Sequence, residues 1–118
     1  MKTVIIYTDG ACRGNPGPGG WGVLIEYGEL SKQLDGGDFS TTNNKMELTA
    51  AIMALKEIKE PCEIILYTDS TYVLQGIEEW IHNWKKSGWR GANKKPVKNI
   101  DLWTELDELR DKHNIKWN

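Results

Sequence analysis

Cysteine is scarce in this chain, long apolar runs are missing, and the stretch from His82 to Asn99 holds no acid at all. Each absence excludes something. Cys12 and Cys62 have neither metal-ligand nor redox spacing, and a reducing, cytoplasmic compartment is the simpler reading. No apolar run approaches the ~20 residues a membrane helix needs. Met1-Lys2-Thr3 leads straight into a strand-like segment, without the apolar core and small-residue cleavage site of a secretory signal. The remaining composition, 39% apolar and 27% charged, argues against disorder, and 118 residues (13.4 kDa) predict one domain spanning 1–118.

What is present is unevenly placed. Lys85, Lys86, Arg90, Lys94, Lys95 and Lys98 give the 82–99 stretch a charge of +6, while the other residues carry nine bases and seventeen acids. Trp84 and Trp89 lie inside that stretch and Trp80 just before it. Lysine holds phosphates and indole stacks on sugars or bases, so the segment suits a nucleic-acid surface. The plainer reading is a solvated helix face with anchoring aromatics.

The pattern predicts strands at Val4–Asp9, Trp21–Tyr27 and about Ser31–Asp38, the last two a hairpin around Gly28. Gly10–Gly20, rich in Gly and Pro, reads as a turn. Thr42–Lys59 is the strongest helix, with Thr42 as its cap, a broad apolar face from Ala50 to Ile58, and Pro61 beyond its end. Glu63–Asp69 reads as the fourth strand, Ser70–Gly76 and Ile77–Lys86 as short helices, Gly88–Pro96 as a basic loop, Asn99–Lys112 as a helix and Asn114–Trp117 as a last strand. The two YTD strands, ending at Asp9 and Asp69, are apolar on both faces, as central strands of a covered sheet are. A helical crossover makes them parallel and sets both aspartates at the carboxyl ends, where such sheets gather ligands.

Glu47 lies in the first two turns of the intervening helix and reaches the same point if that helix packs on strand one. Three converging carboxylates call for a divalent ion, and hard oxygen donors suit Mg²⁺ or Mn²⁺. The alternative is that Asp69 caps a helix, Asp9 belongs to a turn and Glu47 is solvated.

The segments YTDG-x-C-x-GNPGPGGWG, TTNNKMEL-x-AAI-x-AL, YTDS-x-YV-x-QGI-x-x-WI-x-NWKK-x-GW and NKKPVKN-x-DLW together resemble bacterial ribonuclease HI across all 118 residues. The resemblance implies a ribonuclease H-like α/β fold: a mixed five-stranded sheet with strands 1, 4 and 5 parallel and strands 2 and 3 antiparallel. It implies endonucleolytic cleavage of the RNA strand of RNA–DNA hybrids with two divalent metals, Mg²⁺ or Mn²⁺, leaving 5′-phosphate and 3′-hydroxyl ends. Asp9, Glu47 and Asp69 match the family's first three catalytic, metal-holding carboxylates. Asn15, Asn43 and Asn44 match minor-groove contacts, with Cys12, Thr71 and Gln75 beside them. Thr42 and Asn83 match a pocket for a DNA phosphate. Trp80 and Trp84 match residues flanking the DNA channel, and Lys85, Lys86, Lys94, Lys95 and Lys98 match a basic protrusion at 82–99.

The resemblance also carries a departure. The family continues past its last strand into a histidine loop and a final helix with a fourth carboxylate, whereas this sequence stops at Ile115-Lys116-Trp117-Asn118. Neither His82 nor His113 sits in that histidine's motif. The expectations are an exposed apolar sheet face, a weakened metal site with a preference for Mn²⁺, and a homodimer or swapped element covering the face. The alternative function is a hybrid-binding scaffold, or a fragment, that cuts poorly.

Overall fold

A computed structural model describes residues 2–118. The strands are β1 (Thr3–Cys12), β2 (Gly17–Tyr27), β3 (Leu30–Thr41), β4 (Glu63–Thr68) and β5 (Asn114–Trp117). The α-helices are α1 (Asn43–Glu57), α2 (Thr71–Gln75), α3 (Ile81–Lys86) and α4 (Ile100–Arg110). The five strands form one sheet in the order β3-β2-β1-β4-β5. β1 pairs antiparallel with β2 and parallel with β4, β2 pairs antiparallel with β3, and β4 pairs parallel with β5. This is the mixed topology expected of the ribonuclease H-like fold. No described helix is long and apolar enough to cross a membrane.

Local chemistry sets the element ends. Thr42 accepts the Lys45 N–H at 3.2 Å to start α1, and Ser70 accepts the Val73 N–H at 3.1 Å to start α2. Gly28, at φ +59°, turns β2 into β3. The core lies between one sheet face and two helices. Val4, Ile6, Val23, Ile25, Ile64 and Leu66 meet Leu48, Ala51, Ile52 and Leu55 of α1 and Trp103 and Leu106 of α4.

Several boundaries differ from the sequence reading; β3 runs over Leu30–Thr41 and α4 over Ile100–Arg110, and three other differences have a clear physical cause. The turn expected over Gly10–Gly20 shrinks to residues 13–16: Gly10, Ala11 and Cys12 pair with Trp21, Gly20 and Gly19. Small residues let two backbones approach there, and the ladder outweighs glycine's weak strand preference. α1 ends at Glu57, where Ile58 turns extended before Pro61. The two short helices after Asp69 are joined by a π-helical turn, Gly76–Trp80, into a continuous helical path.

The two sheet faces also part company. Ile5, Tyr7, Leu24, Ile65 and Tyr67 alternate onto the face opposite α1 and α4. Double cover, the expectation from apolar residues on both faces, does not hold among the described residues. Tyr7 and Tyr67 stack with ring centroids 5.2 Å apart and remain 42% and 43% exposed. The expected exposed apolar patch is therefore present.

Candidate active site

Asp9 and Asp69 reach one another because Thr8 and Thr68 are register partners in the parallel β1–β4 pair. Asp9 follows Thr8 within β1 and Asp69 lies immediately past the end of β4, so the two sit side by side. Glu47 arrives from α1, which lies against β1 only because position 10 is glycine. A Cβ on Gly10 would come within 2.5 Å of the Met46 carbonyl carbon and 2.6 Å of the Glu47 nitrogen. The Gly10 N–H donates to Glu47 Oε1 at 3.2 Å, and the Thr68 hydroxyl lies 3.5 Å from Oε2. The Thr68 hydroxyl oxygen also accepts the Ser70 N–H at 3.1 Å, which shapes the turn behind Asp69.

One carboxylate oxygen each from Asp9, Glu47 and Asp69 lies within 4.8 Å of the other two. Glu47 is 4% exposed, whereas both aspartates are exposed. No described Lys, Arg or His forms an ion pair with any of the three. The result is a concentration of negative charge with no protein cation to offset it. Burial pushes the Glu47 carboxyl up to about 7, helped by the charges of Asp69 and Asp9 and opposed by the Gly10 and Thr68 hydrogen bonds. Such a donor set fits hard divalent cations. The structure thus brings together the three carboxylates that the sequence singled out.

The other predicted residues are spread over several elements. Asn43 and Asn44 are exposed at the start of α1, Asn15 in the 13–16 loop, Thr71 and Gln75 on α2. The Cys12 sulfur is turned toward backbone carbonyls, 3.2 Å from that of Thr41 and 3.3 Å from that of Gly17. Thr42 caps α1, but the cleft of about 460 Å³ beside it is lined by Asp38, Thr41, Lys45, Thr49 and Asn99, not by Asn83. Asn83 lies exposed on α3.

The basic segment stands on an aromatic stack. Trp84 packs on Trp80, Trp89 and Trp103 at centroid distances of 5.8, 6.2 and 5.4 Å, and Tyr72 packs on Trp80 and Trp103. The Tyr72 hydroxyl accepts from Trp103 Nε1 at 2.9 Å and from Asn99 Nδ2 at 3.1 Å. Trp80 and Trp84 are half-buried in this stack. Lys85 is held by Asp107 at 3.1 Å, whereas Lys86, Lys94, Lys95 and Lys98 are exposed. Sequence reasoning missed Asn99, Tyr72 and Asp107. The Asp107–Arg110 spacing on α4 was a legible signal, but Asn99 and Tyr72 meet only through tertiary packing.

A family model described as RNase H matches residues 1–118. The chain belongs to the ribonuclease H family. This is an enzyme family of endoribonucleases, and the relatives place the chain in its bacterial type 1 branch. Ribonuclease H of Alcanivorax borkumensis is 60% identical over 117 residues, covering 99% of this chain and 78% of that protein. Among solved structures, LC9-RNase H1, a type 1 enzyme with the type 2 active-site motif, superimposes with a TM-score of 0.89 at 28% identity. That match covers all of this chain, which spans 62% of the LC9 protein. LC11-RNase H1, solved in complex with RNA/DNA hybrid, has the same fold at a TM-score of 0.66 and 22% identity, with 98% of this chain and 84% of that one covered. Family membership makes the acidic cluster the candidate active site and the tryptophan-backed lysines the candidate nucleic-acid surface.

Proposed function

We propose that this 118-residue domain, in the cytoplasm, hydrolyses the RNA strand of RNA–DNA hybrids endonucleolytically and leaves 5′-phosphate and 3′-hydroxyl ends. The observation that carries the reading is the unneutralised cluster of Asp9, Glu47 and Asp69 at the carboxyl end of the central strands, in a chain of this family. These three would hold two divalent cations, Mg²⁺ or Mn²⁺. When bound, such ions supply a water activated for in-line attack and charge stabilisation at the departing 3′-oxygen. The protein's part is to fix geometry. The Gly10 N–H and Thr68 hydroxyl orient Glu47, and the paired strand ends orient the two aspartates.

Substrate choice falls to neutral groups around the cluster. Asn15, Asn43, Asn44, Thr71 and Gln75 donate to and accept from 2′-hydroxyls, the feature separating RNA from DNA. Cys12 borders them through its loop. Thr42 and Asn83 are assigned to a DNA-strand phosphate, with Asn99 added by its place in the adjoining cleft. Trp80 and Trp84 flank the DNA strand. Lys85, Lys86, Lys94, Lys95 and Lys98 engage backbone phosphates, which gives affinity without sequence preference. The exposed Tyr7–Tyr67 pair favours an assembled form, with a second copy or a swapped element covering that face. A strict monomer in sedimentation at micromolar concentration would remove that part.

Cleavage of an end-labelled hybrid, with Mg²⁺ and then Mn²⁺, tests the activity. Asp9→Asn is expected to lower turnover about 10²–10³-fold while hybrid binding persists. Equal cleavage by parent and variant would sink the assignment. Binding without cleavage by the parent would favour the scaffold reading.

A further inference from the structure

Phe39 is 96% exposed, the extreme among the exposed large apolar side chains. Its backbone setting holds it there. Asp38 pairs with Gly19 and Thr41 with Gly17, so β3 takes one more residue than β2 between those partners. That surplus is a β-bulge at Phe39–Ser40, a device that re-aims a side chain and recurs beside active sites. Asp38 Oδ1 accepts the Ser40 N–H at 3.0 Å, closing a local turn with Phe39 at its crest.

The position of the bulge gives the exposure meaning. Three residues on, Thr42 caps α1, and Asn43, Asn44 and Lys45 follow, all three exposed. Across the ladder, Gly17 leads back into the loop carrying Asn15. Phe39 therefore stands on the rim shared by the amides assigned to the minor groove. Leu30, 71% exposed at the opposite end of β3, has none of these neighbours.

We propose that Phe39 is a further hybrid-contacting residue, whose ring lies against the sugar rings of the strand crossing the start of α1. The inference rests on the hybrid-substrate reading above. A phenyl ring has no donor or acceptor, so it does not read base edges. Sugar C–H faces are what a hybrid presents to it in a wide, shallow minor groove. Phe39 thus adds affinity without sequence preference, beside amides that sense the 2′-hydroxyl.

The test is anisotropy with a fluorescein-labelled RNA–DNA hybrid, using the Asp9→Asn chain as parent with divalent cations chelated, so that cleavage does not deplete the hybrid during the titration. Phe39→Ser is expected to raise Kd about five- to tenfold, Phe39→Tyr to restore it, and Leu30→Ser to leave it unchanged. In the cleaving chain, the Phe39→Ser effect falls on KM rather than kcat. Kd within about twofold of the parent for Phe39→Ser, or a weakening that Phe39→Tyr does not repair, overturns the proposal. A parent that binds no hybrid would instead fail the substrate reading itself and take this inference with it.

Discussion

Two glycines do similar work at opposite ends of the candidate site. Gly10 lets the backbone of α1 touch β1, which places Glu47 beside Asp9 and Asp69. Gly76 lets the Trp103 ring sit against the π-helical turn, which seats the aromatic stack beneath the basic segment. The first approach is backbone against backbone within the sheet–helix core. The second is backbone against a side chain, under a segment otherwise held by tryptophans and exposed loops. The acidic cluster therefore has the rigidity of the core, and the basic segment has the rigidity of one aromatic stack. In the proposed function, chemistry needs the former, and sequence-independent phosphate binding tolerates the latter.

The same substitution at both glycines separates the two. Gly10→Ala puts a Cβ 2.5 Å from the Met46 carbonyl carbon, so α1 must move and carry Glu47 with it. A displacement of about 1 Å at reacting groups costs about 10²-fold in rate, so kcat is expected to fall by at least that much. Gly76→Ala puts a Cβ 2.0 Å from Trp103 Cη2, and the ring, tied to the Tyr72 hydroxyl, must tilt. Overpacking of this kind costs about 1–3 kcal/mol of stability. The kinetic change is expected in KM, with kcat near that of the parent. Steady-state kinetics on one hybrid, beside a denaturant titration, reads both variants. A Gly76→Ala defect carried by kcat would break the comparison.

How much of this was legible in the sequence follows the same division. The carboxylates, the Thr42 cap and the five strands were legible because each rests on local pattern: β-branched runs, a capping hydroxyl, acids at strand ends. The stretch from Gly10 to Gly20 reads as a turn by sequence because its strands depend on pairing with one another, and glycine gives no local strand signal. The π-turn at Gly76–Trp80 and the Tyr72 hydroxyl shared by Trp103 and Asn99 were illegible, since they arise from packing residues far apart in the chain. By sequence Asn83 is paired with Thr42 through the resemblance and Asn99 merely opens a helix, and only the fold sets Asn99 in the cleft beside Thr42.

The basic segment can be tested without disturbing its stack. Lys94, Lys95 and Lys98 are exposed and form no ion pair among the described residues. Replacing all three with Ala is expected to make the plot of log K against log salt shallower by about 1 for each phosphate no longer neutralised. Asp9→Asn should leave that slope alone, because the aspartate is no phosphate ligand. Binding titrations at several salt concentrations make the distinction. An unchanged slope in the triple variant would mean that the segment is a solvated face.

The smallest expected effect lies away from both regions and so calibrates them. His113 Nδ1 accepts the Cys62 N–H at 3.2 Å, joining the start of β4, the end remote from Asp69, to the turn before β5. Burial, with a smaller contribution from Lys112, holds the His113 pKa below its ordinary 6.5. The unfolded chain therefore takes up this proton first as pH falls. The contribution to stability is intact above pH 6.5 and is lost progressively below it. Protonation also removes the acceptor for the Cys62 N–H, which is worth about 1 kcal/mol. His113→Leu is expected to cost about that much at pH ~7.5 and to flatten this part of the decline toward pH ~5, in denaturant titrations at both pH values. Because the bond touches neither the carboxylates nor the aromatic stack, kcat and KM at the higher pH should match the parent. A His113→Leu change in either constant would mean that reduced stability alone reaches the site, and the Gly76→Ala result would then need the same correction.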